Sequence, residues 1–197
     1  MPSLPDARPR LTEFALRHAM ADAGYSVNET RFPVFVVAIR GYYRDTMGTP
    51  GVNDRGIFDD AICVVSPHTF AAFNGNTDPT RTRAKTAKMQ GMATLIPGVY
   101  HAHTIGRHKL TYPALIQRKG VVRVMRDGDP VVDVGYFGIN IHDAGTTTSS
   151  EGCLTIPRGD GQWKAFITLV VSEAERAHGA AYRDAVIPCV LLGEWLS

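Results

Sequence analysis

Two residues of this chain combine reactive side chains with a suggestive spacing. His142 and Cys153 lie in "INIHDAGTTTSSEGCLTIP", residues 139–157, where a histidine closes an apolar run and a cysteine follows Gly152 eleven positions later. A thiol attacks a carbonyl as the thiolate, so cysteine catalysis needs a base that takes the proton. The intervening Gly145, threonines and serines can fold back and carry the cysteine to the histidine. Backbone N–H groups at Gly152 and Cys153 are candidates for holding the oxyanion formed on attack, because glycine permits close approach. Ser150 and Ser149 could orient the imidazole or bond a substrate, and the same hydroxyls suit a self-braced turn.

The same residues admit other chemistry. His101 and His103, at i and i+2 of an expected strand, would point to one face and could bind zinc together with His108 or His142. Alternatively they flank a groove and touch substrate. A cysteine at a strand end is also a common small buried hydrophobe. Cys63 and Cys189 sit inside apolar runs and suit that role. His18, His68 and His178 read as structural. Arg81, Arg83, Lys85 and Lys88 form a basic run read as solvated, and residues 40–60, rich in Gly, Tyr and Asp, read as a functional loop across a groove.

The elements that must position these residues are legible as period and punctuation. Leu11, Phe14, Ala15, His18 and Ala19 recur at helical spacing before Gly24, which predicts an N-terminal amphipathic helix. From Pro33 the texture becomes β-rich, with expected strands at 34–39, 61–66, 121–125, 131–134 and 137–142 and a tight hairpin at "DGDP", 127–130. Trp163, Phe166, Ile167, Val170, Val171 and Ala174 form the stripe of a helix packed on a sheet. "AVIPCVLLG" closes the chain as a buried strand in which Pro188 suggests an edge or a bulge. Residues 75–91 read as a long, flexible polar rim. The fold class is a β-rich α+β domain, divided into an N-terminal helical segment, 1–30, and a single globular unit, 31–197.

Composition narrows the function classes. The 197 residues carry a net charge of +2 and 44% hydrophobic content, which suits one well-filled domain and gives no strongly basic nucleic-acid footprint. Three widely spaced cysteines argue against a disulfide framework. Neither a signal-peptide core nor an apolar stretch of membrane-spanning length appears, so the expectation is a chain made in the cytoplasm, without membrane insertion, and monomeric.

His142 followed by the "SEGC" of residues 150–153 resembles the L,D-transpeptidase catalytic domain, the YkuD-like family, whose signature is a histidine at a strand end, a loop, and Ser-x-Gly-Cys. The resemblance extends over residues 95–193 through the strand before the histidine, the helix after the cysteine and the final strand. It implies an L,D-transpeptidase-like β-sandwich, with Cys153 as acyl-forming nucleophile and His142 as its base, oriented by a backbone carbonyl. It further implies an oxyanion donor at Gly152, a catalytic contribution from Ser150, and peptidoglycan stem peptide as substrate. Ser149, Arg158, His101, His103 and Tyr136 are the candidate substrate contacts, and no metal or cofactor is required. The chain departs from the pattern at Asp143, where the family usually has glycine, at Glu151, the variable position of Ser-x-Gly-Cys, and at Thr155, where arginine or asparagine is common. Arg158 is the candidate replacement for that arginine. The resulting expectation is cleavage of stem peptides through a thioester by a wall-degrading enzyme released by phage lysis or a secretion system. Transpeptidation, zinc hydrolysis and wall binding without turnover are the alternatives.

Overall fold

The computed structural model describes residues 4–145 and 147–193. The chain is a mixed, strand-rich α/β protein with two α-helices among the described residues. Helix α1 spans Glu13–Asp22, with Thr12 as its N-cap: the Thr12 hydroxyl accepts from the Ala15 N–H at 3.2 Å. The chain leaves this helix through Gly24 at φ +71°, a left-handed position that glycine occupies without a Cβ clash.

Eight strands then build the main sheet. They are β1 (Phe35–Ile39), β2 (Asp60–Ser66), β3 (Thr69–Gly75), β5 (Gly98–His108), β6 (Tyr112–Gln117), β9 (Ile141–Asp143), β10 (Leu154–Ile156) and β11 (Ile187–Leu192). Their order is β10-β9-β6-β5-β11-β1-β2-β3. The pairs β1–β11 and β9–β10 are parallel and the other neighbours antiparallel. An isolated bridge between Asn76 and Thr155 joins the chain just beyond β3 to β10, so the two ends of the sheet meet. A second sheet has the order β4-β7-β8, from β4 (Ala93–Leu95), β7 (Val122–Arg126) and β8 (Asp129–Gly135). Its β7–β8 hairpin turns at Gly128, φ +76°, as "DGDP" leads one to expect.

Alternation along β1 separates two cores. Val36 and Ala38 face a large cluster that includes Phe73, Leu115, Ile141, Leu154 and Ile156, into which helix α2 (Gln162–His178) inserts Trp163, Phe166, Ile167, Val170 and Ala174. Leu95, Val122 and Val124 of the second sheet enter the same cluster. Phe35, Val37 and Ile39 face the other way, onto Leu16 and Met20 of α1. The N-terminal segment is thereby packed on the same sheet as the rest of the chain.

Several expectations change on contact with the fold. Strand β9 covers only Ile141–Asp143, so the chain at 137–140 is irregular. Strand β11 lies in the interior of the sheet between β5 and β1, not at an edge; Pro188 is accommodated by a register shift between Ile187 and Cys189. The same irregularity gives β5 one extra residue, which turns exposed His101 and fully buried His103 to different environments and dissolves the proposed pair. The segment 75–91 is not a uniformly free rim, because Asn76, Thr77 and Asp78 are buried. Nor does the 40–60 loop lie across the thiol pocket: its Tyr42 and Tyr43 line a separate cavity of about 630 Å³ with Pro5, Ala7, Arg8 and Arg10.

What the 40–60 loop contributes instead is a buried acidic hub. Asp60 accepts hydrogen bonds from the backbone N–H groups of Gly41 and Thr77, both at 2.5 Å. Asp59 accepts from Asp54 N at 2.9 Å, and Asp78 pairs with Arg40 at 3.3 Å. The hub thus fixes Thr77 beside Asn76, which bridges to Thr155 in the strand carrying the cysteine. Burial, with the charges of Asp78 and Asp54, pushes the Asp59 carboxyl up to about 7. In an unfolded chain the same group titrates near 4. The folded state therefore retains a proton that the unfolded chain has released, and the associated stability is lost as pH rises from about 4 through about 7. The Asp59 contribution to the denaturant midpoint is expected to fall between pH 5 and pH 8, against the opposite trend of His103 and His142, which burial pushes down to about 4. Asp59→Asn should flatten that dependence, and an unchanged slope in the variant would count against the assignment.

Candidate active site

Parallel pairing of β9 and β10 sets Leu154 opposite Ile141 and Thr155 opposite His142. Leu154 N donates to Asn140 O at 2.9 Å, which continues the register one step and places Cys153 beside Asn140. With a side-chain period of two, Asn140 and His142 share a face of their segment. Cys153 and His142 both line a pocket of about 330 Å³. The sequence loop does bring the two together around one cavity.

The cysteine is half-buried and free. Its Sγ donates to Gly138 O at 3.3 Å and accepts from Asn140 N at 3.4 Å. Burial raises the thiol above its ordinary range, with Glu151 adding to the effect, while the Asn140 N–H and the charge of Lys109 oppose it. His142 is buried, and its Nδ1 lies 2.8 Å from the carbonyl oxygen of Asp143. A carbonyl only accepts, so Nδ1 carries the hydrogen and Nε2 keeps a lone pair. The Tyr112 hydroxyl stands 3.2 Å from the same Nδ1 and donates to Asp143 O at 3.4 Å. Burial pushes His142 down to about 4, with the Asp143 carbonyl opposing and His108 adding to the effect. The resting pair is therefore a neutral thiol and a neutral imidazole, with no Sγ–His142 hydrogen bond. A base of this kind takes the proton as attack proceeds.

Of the two roles open to Ser150 the structure shows the turn brace, and Gly152 departs from its expected role. Gly152 N donates to Ser150 Oγ at 2.9 Å, and Ser150 Oγ donates to Cys153 O at 2.7 Å. The Gly152 N–H is thus committed to the turn and is not a free oxyanion donor. The Cys153 N–H has no hydrogen-bond partner among the described residues and is the remaining donor there. Ser150 braces the cysteine turn, itself held by Ser150 N donating to Thr80 Oγ1 at 2.6 Å. Glycine at 152 is required by its φ of +151° and by the carbonyl of Ala93, into which any Cβ would project.

The remaining candidates divide. Ser149 lines the pocket. Arg158 does not replace a pocket arginine: its Nη2 pairs with Asp143 at 2.7 Å, while the other carboxylate oxygen of Asp143 accepts from Gly145 N at 2.7 Å. Asp143 thus ties the loop down. His101 is exposed and packs its ring against Phe32 at 4.6 Å, and His103 Nε2 bonds Ile139 O at 2.8 Å. Neither lines the pocket. Tyr136 is 62% exposed and also lies outside the pocket lining, which is entered by its neighbour Phe137. Of the basic run, Arg83 reaches the pocket and pairs with Glu151 at 2.8 Å, whereas Lys85 pairs with Asp129.

Sequence reasoning weighed His108 only as a metal ligand and passed over Asn140, Tyr112 and Lys109. His108 stacks on His142 with ring centroids 4.0 Å apart, and its Nδ1 accepts from Asn140 Nδ2 at 3.1 Å. The signal for it was the short link "KLT" between two β-rich runs, which folds the end of β5 back toward β6. Among the described residues no group of three or more His, Cys, Asp or Glu side chains is arranged to hold a metal, and no helix is long and apolar enough to cross a membrane. No protein-family model matches the chain, and neither does any curated protein.

A neutral pair has a measurable signature. Cys153 alkylation by iodoacetamide is expected to accelerate only as pH climbs through and beyond the ordinary thiol range of about 8.5, without a plateau near pH 6. Cys63 and Cys189, fully buried and pushed up to about 12, should stay unlabelled in the native protein. A plateau from pH 6 upward that vanishes in His142→Gln would reveal a thiolate–imidazolium pair instead.

Proposed function

We propose that the protein is a cysteine enzyme acting on peptidoglycan stem peptides, with Cys153 forming a thioester and His142 serving as its base. The observation that carries this reading is the sharing of one pocket by Cys153 and an imidazole whose Nδ1–H is fixed on the Asp143 carbonyl, leaving Nε2 unprotonated. The Ser-Glu-Gly-Cys signature, the upstream histidine and the following helix support assignment to an L,D-transpeptidase-like fold.

In this scheme the thiol proton passes to His142 Nε2 as Sγ attacks the scissile carbonyl. The developing oxyanion meets the Cys153 N–H. His142 then returns the proton to the leaving amine, the C–N bond breaks, and the acyl group remains on sulfur. Water activated by the same imidazole releases the acid, whereas an acceptor amine would give transpeptidation. The short connection from Asp143 to Ser149 offers little chain from which to build an acceptor wall, which favours water.

Mass spectrometry of muropeptides incubated with the protein tests the reading. Shortened stem peptides are expected from the wild type. Cys153→Ala should lower their formation by about a thousandfold or more and cost no more than about 1 kcal/mol of stability. Efficient exchange of an added D-amino acid with negligible hydrolysis would make the enzyme a transpeptidase, and unchanged peptides would remove both readings.

A further inference from the structure

The hairpin joining β5 to β6 carries a strained turn at the mouth of the thiol pocket. His108 and Tyr112 are paired, Thr111 N donates to His108 O at 2.9 Å, and the two central residues are Lys109 at φ +47° and Leu110 at φ +61°. Two successive positive φ angles define a turn that Asn-Gly normally fills. Neither residue here suits it on backbone grounds. Leu110 is 78% exposed, so apolar burial offers little compensation.

Lys109 lines the pocket together with Cys153 and His142. Two other cations line it, and both are already neutralised: Arg83 by Glu151 at 2.8 Å, and Arg126 by Asp133 at 2.7 Å. Among the described residues Lys109 has no ion-pair partner. Its charge reaches the working groups, since it favours the deprotonated forms of Cys153, His142 and His108.

We propose that Lys109 is a specificity-determining residue that binds a carboxylate of the substrate beside the scissile carbonyl, an assignment that rests on Cys153 being the acyl-accepting nucleophile. An ammonium on the three-residue link between β5 and β6 supplies positive charge at the lining of the pocket. Its two neutralised neighbours leave Lys109 as the pocket cation available to an incoming anion.

The test compares two alkylating reagents that differ by one carboxylate. In each, Sγ forms a bond to the methylene carbon and iodide departs, so neither requires turnover. The rate ratio of iodoacetate to iodoacetamide at Cys153 is measured in the full chain, in Lys109→Arg and in Lys109→Asn, the last of which suits the left-handed turn. The ratio should fall about fivefold in Lys109→Asn, hold in Lys109→Arg, and erode with salt in the wild type. A ratio unchanged in Lys109→Asn at low salt overturns the proposal. A second arm uses stem peptides with free or amidated carboxylates, and Lys109→Asn should abolish the preference for the free acid, read as the ratio of kcat/KM for the two peptides, in which any effect of the lost charge on Cys153 and His142 cancels. If no peptide is cleaved yet the alkylation ratio behaves as described, the stem-peptide reading fails and the anion preference of the pocket stands.

Discussion

The parallel register of β9 and β10 is the constraint on which the site depends. Each strand is only three residues long, yet the pairing fixes which residue faces Cys153. Slipping such a pair by one residue would send His142 or the cysteine to the opposite face and empty the pocket of one partner. Two such short strands cannot hold that register alone. Thr155 therefore exchanges backbone hydrogen bonds with Asn76, at 2.9 and 2.8 Å, so that β10 is gripped from its other side. Asn76 is in turn adjacent to Thr77, which is anchored on Asp60. A buried carboxylate more than seventy residues away in sequence thus helps set the position of Cys153.

Asp143 concentrates three duties that in many sites are divided. Its carbonyl selects the tautomer of His142, and its two carboxylate oxygens hold Gly145 N and Arg158. Economy of this kind makes the loop short and stiff. Ser150 performs the matching task on the cysteine side by accepting from Gly152 N and donating to Cys153 O. Both ends of the connection are therefore fixed by side chains close in sequence to the reacting groups.

Both helices were readable because each carries a 3.6-residue apolar period with a clear stop, and the β7–β8 turn was readable because Gly128 follows an aspartate. The pair His142 and Cys153 was readable for the same reason, since local spacing sufficed. Features created by pairing between distant segments were not. The bulge that separates His101 from His103 exists only because β5 meets β11, and nothing in "YHAHTIGRH" announces it. Pro188 suggested an edge or a bulge, and only the pairing with β5 decides for the bulge. The commitment of the Gly152 N–H to Ser150 could be suspected from Ser-x-Gly but not preferred, as an empty oxyanion hole has the same sequence. Lys109 was missed, and His108 weighed only as a metal ligand, because their place in the pocket lining depends on the β5–β6 hairpin.

A thiol kept protonated by burial behaves differently toward oxidants from one held as an ion pair. Peroxides attack the thiolate, so the ladder from sulfenic to sulfonic acid is climbed at a rate set by the ionised fraction. Cys153, raised above the ordinary range and hydrogen-bonded to Gly138 O, presents little of that form at neutral pH. Burial therefore trades resting nucleophilicity for chemical durability at this thiol. A side chain that a single adventitious oxidation could alter for good is thereby kept in the form that peroxides attack least.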